Sequence, residues 1–232
     1  AEPMSPADTF SLLNSFLTAM GPVVNKHHGI IDKYLGDGML AYFYRNGSAC
    51  DDAIACAIEM IEKLDEYNQT NRAGHIPEFR SDGRRREALE VGIGLNAGKV
   101  VFGTIGYEDR VDFTILGDTV NTTSRIETLT KHLGASLLVH ESVIEKSKSD
   151  HTSRYIGAVQ VKGKVDPLRL WEVLSETDAV TRDKKKDSID AFNEAMRLFE
   201  DDKKEEAYEI FSSIHQNNPE DKVAKYYTDW CK

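Results

Sequence analysis

Cysteine is scarce in this chain of 232 residues. Cys50, Cys56 and Cys231 are too few and too odd in number for a disulfide scaffold, which favours a reducing compartment. Long apolar runs are missing as well. The longest are strand-length, so no membrane segment is expected, and no charged-then-apolar leader predicts secretion. Positive charge is in deficit. With 29 Lys and Arg against 39 Asp and Glu, the net charge is −10, which argues against a non-specific nucleic-acid binder. It leaves room for a nucleotide ligand, which needs only a few local cations. No Walker phosphate loop occurs. Gly92-Ile93-Gly94 lies inside a strand pattern, with the third glycine misplaced and no helix opening there, so it is not a dinucleotide loop. His27 and His28 are adjacent and share no helical face, which excludes a metal pair. Cys50 and Cys56 have no flanking histidine cluster and read as buried thiols. At 40% hydrophobic and 29% charged residues the chain has the make-up of a folded globular protein.

The pattern that is present mixes helices and strands without strict alternation. Residues 5–26 predict a helix, with Ser5 as N-cap, Pro6 in the first position and apolar residues at helical spacing. Two β-rich runs flank Gly36-Asp37-Gly38, the signature of a hairpin. Residues 49–67 predict a second amphipathic helix, and the polar stretch 68–86 a loop that includes Arg84-Arg85-Arg86. Strands follow at 89–95, 99–106 and 111–116, then a helix running to Leu133. Further strands are expected at 136–139, 154–161 and 168–174 around a short helix at 141–148. Strands joined by hairpins favour an α+β sheet over a doubly wound parallel one. Residues 177–188, with Lys184-Lys185-Lys186, read as a linker. Residues 189–232 hold three helical patterns that resemble a tetratricopeptide-type unit and the start of another. Such units need neighbours, so this one is expected to pack on the main domain or on a partner.

Spacing alone singles out few residues. Asp37 between two glycines either just makes the turn or presents a carboxylate to Mg²⁺ on a rigid hairpin. Asn121 and Arg125 are four apart and stack on one helical face, where an amide and a planar cation could hold a ribose and a phosphate.

Four segments in register carry a resemblance. Lys33-Tyr34-Leu35-Gly36-Asp37-Gly38, Val91-Gly92-Ile93-Gly94-Leu95-Asn96-Ala97-Gly98, Ile115-Leu116-Gly117-Asp118-Thr119-Val120-Asn121 with Ser124-Arg125, and Val161-Lys162-Gly163-Lys164 resemble the class III nucleotidyl cyclase catalytic domain, over residues 5–174. The resemblance implies a ferredoxin-like fold with a mostly antiparallel sheet, working as a head-to-tail homodimer with composite active sites. It implies an adenylate cyclase in intracellular signalling, converting ATP to 3′,5′-cyclic AMP and pyrophosphate, with two Mg²⁺ (or Mn²⁺) as cofactors. By position, Asp37 matches the second metal aspartate. Lys33 and Thr114 match the base-reading pair, Asn121 the ribose-orienting residue, Arg125 the transition-state cation and Lys162 the lysine on the terminal phosphates.

On this reading residues 1–176 form the catalytic domain, 177–188 the linker and 189–232 a tetratricopeptide-like helical tail that could engage a protein partner. The family's first metal aspartate lies on a strand ahead of the first helix, and Asp8 does not stand in a matching context; that strand is expected to precede residue 1 in the full protein. The expected location is cytoplasmic, with the full-length protein open to membrane tethering upstream. Guanylate cyclase activity, a silent nucleotide-binding module and a scaffold are the competing readings.

Overall fold

In the computed structural model, which describes residues 6–70, 88–108, 110–161, 163 and 166–232, the chain divides into two compact units, 1–91 and 92–232. In the first unit Pro6 opens helix α1 (Pro6–Lys26), where its missing N–H leaves no helical bond unmade. Met20, Val23 and Val24 recur on one face of α1 and are buried, as are Ile54, Ala57, Met60, Leu64 and Tyr67 of α2 (Ala49–Thr70). The two helices pack together, and the Tyr67 hydroxyl donates to Ser15 Oγ at 2.9 Å. Between them in sequence lies the expected hairpin, β1 (Ile30–Leu35) and β2 (Gly38–Tyr42), paired antiparallel from Leu35–Gly38 outward. Gly36 has φ +65 and Asp37 does not share it, the requirement of a II′ turn. The register slips by one residue at Asp32, a bulge beside Lys33. The arginine run 84–86 and most of the expected loop lie outside the described residues.

The second unit holds a four-stranded sheet in the order β3-β6-β8-β7, formed by β3 (Ile93–Leu95), β6 (Leu137–His140), β7 (Ser153–Val159) and β8 (Leu168–Val173). β3 and β6 run parallel; the other pairs are antiparallel. A separate antiparallel ribbon consists of β4 (Val101–Tyr107) and β5 (Arg110–Leu116). Helix α3 (Asp118–Leu133) packs on β3 and β6, and the short α4 (Glu141–Ile144) follows β6.

The C-terminal helices α5 (Ala179–Asp187), α6 (Ile189–Glu200), α7 (Lys204–Asn217) and α8 (Lys222–Trp230) belong to the same unit. Phe192, Met196, Phe211 and Tyr227 from these helices share one core with Ile126, Leu138, Ile156 and Leu170 from α3 and the sheet. The helical segment therefore packs on the main domain, one of the two outcomes its sequence allowed. The stretch 177–188 corrects the linker expectation. Most of it is α5, capped by Asp178 accepting from the Thr181 N–H at 2.8 Å, and Lys185 is 3% exposed.

Lys185 belongs to a buried ion network. Arg154 on β7, fully buried, donates from Nε to Glu172 Oε2 on β8 and from Nη1 and Nη2 to both Asp221 carboxylate oxygens, each at 2.7 Å. Lys185 Nζ bonds Glu172 Oε1 at 2.7 Å and also reaches Glu176. The guanidinium lies 4.0 Å from the Phe192 ring centre, and Asp221 caps α8 through the Ala224 N–H. Burying charges is costly, and a pair recovers that cost only when every polar atom finds a partner. Here Glu172 and Asp221 are bonded on both oxygens, and Glu176 on one.

Burial alone would raise the Asp221 pKa; the Arg154 bonds and charge, with Lys185, outweigh it and hold the carboxyl below its ordinary range. A group depressed in the folded state stabilises above its unfolded pKa, about 3.9, and that contribution fades as pH falls. Asp221→Asn is expected to cost about 3–5 kcal/mol at pH 7 by leaving Arg154 short of a charge partner. Its penalty should shrink as the pH drops below about 4. Urea unfolding at several pH values measures both; equal stability at pH 7 would remove the network from the account.

Candidate active site

The helix that carries Asn121 and Arg125 is seated on β3 by glycines. A Cβ at Gly92 would stand 2.0 Å from Thr130 Oγ1, and one at Gly94 2.5 Å from the Glu127 backbone nitrogen. Backbone cannot swing aside as a side chain can, so α3 approaches the strand at a distance only glycine permits. These glycines serve helix packing, in keeping with the absence of a dinucleotide loop from the sequence pattern. Gly117 precedes α3 at φ +145, and Gly134 closes it at φ +74 with its N–H on Thr130 O. Thr119 Oγ1 donates to Lys99 O at 2.8 Å, pinning the first turn.

On α3, Asn121 is exposed and Arg125 half-buried, one turn apart on a common face. Arg125 Nη1 is buried with no hydrogen-bond partner among the described residues. Gly163, at φ +80, lies against the guanidinium: a Cβ there would stand 3.3 Å from Nη2. Lys162 itself lies outside the described residues. A buried guanidinium N–H without an acceptor is costly, and an anionic oxygen supplies the charge-assisted bond it lacks.

Thr114 sits on β5 opposite Gly103 and is 3% exposed. Its hydroxyl donates a long hydrogen bond to the Ile115 carbonyl at 3.4 Å. The ribbon around it is apolar and open: Tyr107 is 79% exposed and Phe113 65%, and Phe102 stacks on Phe113 at 6.2 Å.

In the first unit, Asp37 is exposed in the two-residue turn of the hairpin. Lys33 is half-buried on β1, its Nζ 3.5 Å from Asp32 Oδ2. Among the described residues no cluster of three or more His, Cys, Asp or Glu forms a metal cage. A hard carboxylate on a fixed turn nonetheless suits Mg²⁺, which is commonly held by one or two carboxylates together with substrate phosphates. No disulfide joins the three cysteines, and Cys50, expected to be buried, is half-buried. Cys56 matches the buried-thiol expectation, its pKa pushed up to about 12 by burial and by Glu59.

Sequence reasoning missed Gly163 as a neighbour of Arg125 and the glycine seat under α3. A glycine inside a strand pattern was the available signal for the seat.

Comparison with known proteins bears on the family and the fold. The family described as "Adenylate and Guanylate cyclase catalytic domain" matches residues 1–175. An adenylate cyclase of Anabaena cylindrica is 38% identical over 181 residues, 75% of this chain and 34% of that protein. The terminal-differentiation-specific adenylate cyclase of Dictyostelium discoideum is 30% identical over 236 residues, 99% of this chain and 10% of that protein. The solved guanylyl cyclase Cya2 is similar with a TM-score of 0.60 at 31% identity, covering 77% of this chain and 86% of that one. The chain thus spans about a third of the first relative and a tenth of the second.

Gly94→Ala should force α3 away from β3. A loss of about 1–3 kcal/mol is expected from such overpacking, read as a lower thermal midpoint; an unchanged midpoint would mean the helix can shift at no cost.

Proposed function

Because the chain belongs to the class III adenylate and guanylate cyclase catalytic-domain family, we propose that it converts ATP to 3′,5′-cyclic AMP and pyrophosphate. The observation that carries this reading is Arg125, with a buried N–H that finds no acceptor among the described residues, on the same helical face as Asn121 and against Gly163. In the reaction the ribose 3′-oxygen bonds to the α-phosphorus, its proton departs, and the bond to the bridging oxygen of pyrophosphate breaks. Charge builds on the α-phosphoryl oxygens in the transition state. A fixed guanidinium there stabilises the transition state more than bound substrate. Asn121 orients the ribose, and Lys162 meets the terminal phosphates.

Asp37 would hold Mg²⁺ (or Mn²⁺), in a pair of ions that neutralises the triphosphate and the leaving pyrophosphate when bound. The site is completed by a second copy of the chain, with Asp37 of one copy serving nucleotide held by its neighbour. The open ribbon supports such association. A lone two-stranded ribbon is marginal in water, and its exposed Phe102, Val111 and Phe113 on one face, with Ile105 and Tyr107 on the other, leave apolar surface suited to a partner.

Base choice follows hydrogen-bond polarity. Adenine presents an acceptor at N1 and donors at N6; Lys33 donates and the Thr114 hydroxyl accepts. GTP is the second reading, favoured by the similarity to the guanylyl cyclase Cya2. No described helix is long and apolar enough to cross a membrane; a cytoplasmic location and a tetratricopeptide-like character for α6–α8 are part of the proposal.

Cyclic AMP formation from Mg²⁺ and ATP tests the proposal directly. Arg125→Ala should lower the rate about 10²–10³-fold while nucleotide still binds; nucleotide binding with no turnover in the parent protein would leave a silent binding module instead. Lys33→Glu combined with Thr114→Cys should shift the ATP/GTP preference toward GTP, and an unchanged ratio of kcat/KM values would refute the base assignment.

A further inference from the structure

We infer that Asn96 is a positioning residue of the cyclase reaction, tying the first turn of α3 to the start of α4 through Ser142. The inference rests on the proposed role of Asn121, two residues beyond the point of attachment. Asn96 leaves β3 at its C-terminal end and is half-buried. Its Nδ2 donates to the Thr119 carbonyl at 3.2 Å, and its Oδ1 accepts from Ser142 Oγ at 3.3 Å. A carbonyl can only accept, so the amide orientation is fixed by its partners. Ser142 is held in turn. Its Oγ receives the Ala97 N–H at 3.3 Å, and its backbone N–H donates to His140 Nδ1, the cap of α4, at 3.1 Å. The same Thr119 carbonyl accepts the Thr123 hydroxyl at 2.8 Å.

Asn96 bonds a peptide group of α3 itself, one residue before Val120 and two before Asn121. A Cβ at Gly98 would meet Thr119 Oγ1 at 2.5 Å, so the 96–98 segment lies tight against that turn. Turning the first helical turn by a small angle would misplace the Asn121 amide while leaving the deeper part of α3 on β3. Displacements near 1 Å at a reacting centre cost up to about 10²-fold in rate.

Asn96→Ala is expected to lower kcat about tenfold with KM for ATP within about twofold of the parent. Asn96→Asp keeps the acceptor for Ser142 and loses the donor to Thr119, so it should be as slow. Ser142→Ala keeps the direct bond and should lose less. In an Asn121→Ala background, Asn96→Ala should add little, because both act through one group. Multiplying losses, a raised KM with unchanged kcat, or a parent-like kcat in Asn96→Ala would each overturn the inference. Amide hydrogen exchange at residues 121–124 gives a reading independent of turnover. It should quicken in folded Asn96→Ala, and unchanged exchange overturns the inference even where no cyclic nucleotide forms. An inactive parent with quickened exchange would sink the proposed reaction and leave the positioning intact.

Discussion

Helix α3 lies against β3 backbone to backbone at Gly94 and with only the Thr130 side chain at Gly92, and the placement of the candidate chemistry follows from that contact. A helix held off by even one methyl group would move every residue it carries. Asn121 and Arg125 belong to its first two turns, and the Asn96 and Thr119 bonds hold those turns at the near end. At the far end, Gly134 leaves α3 against Lys222, where a Cβ would come within 2.4 Å. The helix is thus held by backbone approach at Gly94 and by side-chain contacts at Gly92 and Gly134, and Asn121 and Arg125 share its opposite, polar side.

The second organising feature is the ion network around Arg154. Its charges contribute little if judged against an apolar replacement, but each is costly to leave alone. That asymmetry makes the network selective: the arrangement that brings β7, β8, α5 and α8 together bonds both oxygens of Glu172 and both of Asp221. The shared core of Phe192, Phe211 and Tyr227 with Ile156 and Leu170 supplies the area burial, and the charges set the register.

What could be read from the sequence was local. The hairpin at Asp37 followed from turn chemistry within three residues, and α1, α2 and α3 from apolar spacing and terminal signals. The family resemblance placed Asn121 and Arg125 on α3, and the family match agrees in extent. What could not be read depended on distant partners. Lys184-Lys185-Lys186 has the composition of a solvated stretch, yet Lys185 is buried because Glu172 lies across from it. Asp221 is 67 positions from Arg154, and no local pattern ties them. Residues 89–95 carry strand composition throughout, but only Ile93–Leu95 find partners on β6. The burial of Thr114 among exposed ribbon neighbours likewise depends on packing and not on alternation.

Arg154 also constrains how a gene of this kind can be rearranged. The family match ends at residue 175, whereas the Dictyostelium relative aligns with 99% of the chain. A recombination break placed just after the family segment would part a sealed guanidinium from Asp221 and Glu172 from Lys185. Any new fusion at that point must bring a carboxylate to the same spot or replace the arginine in the same event. In this chain the family segment and the helices behind it therefore depend on one another, and neither can be exchanged alone without unsealing the guanidinium.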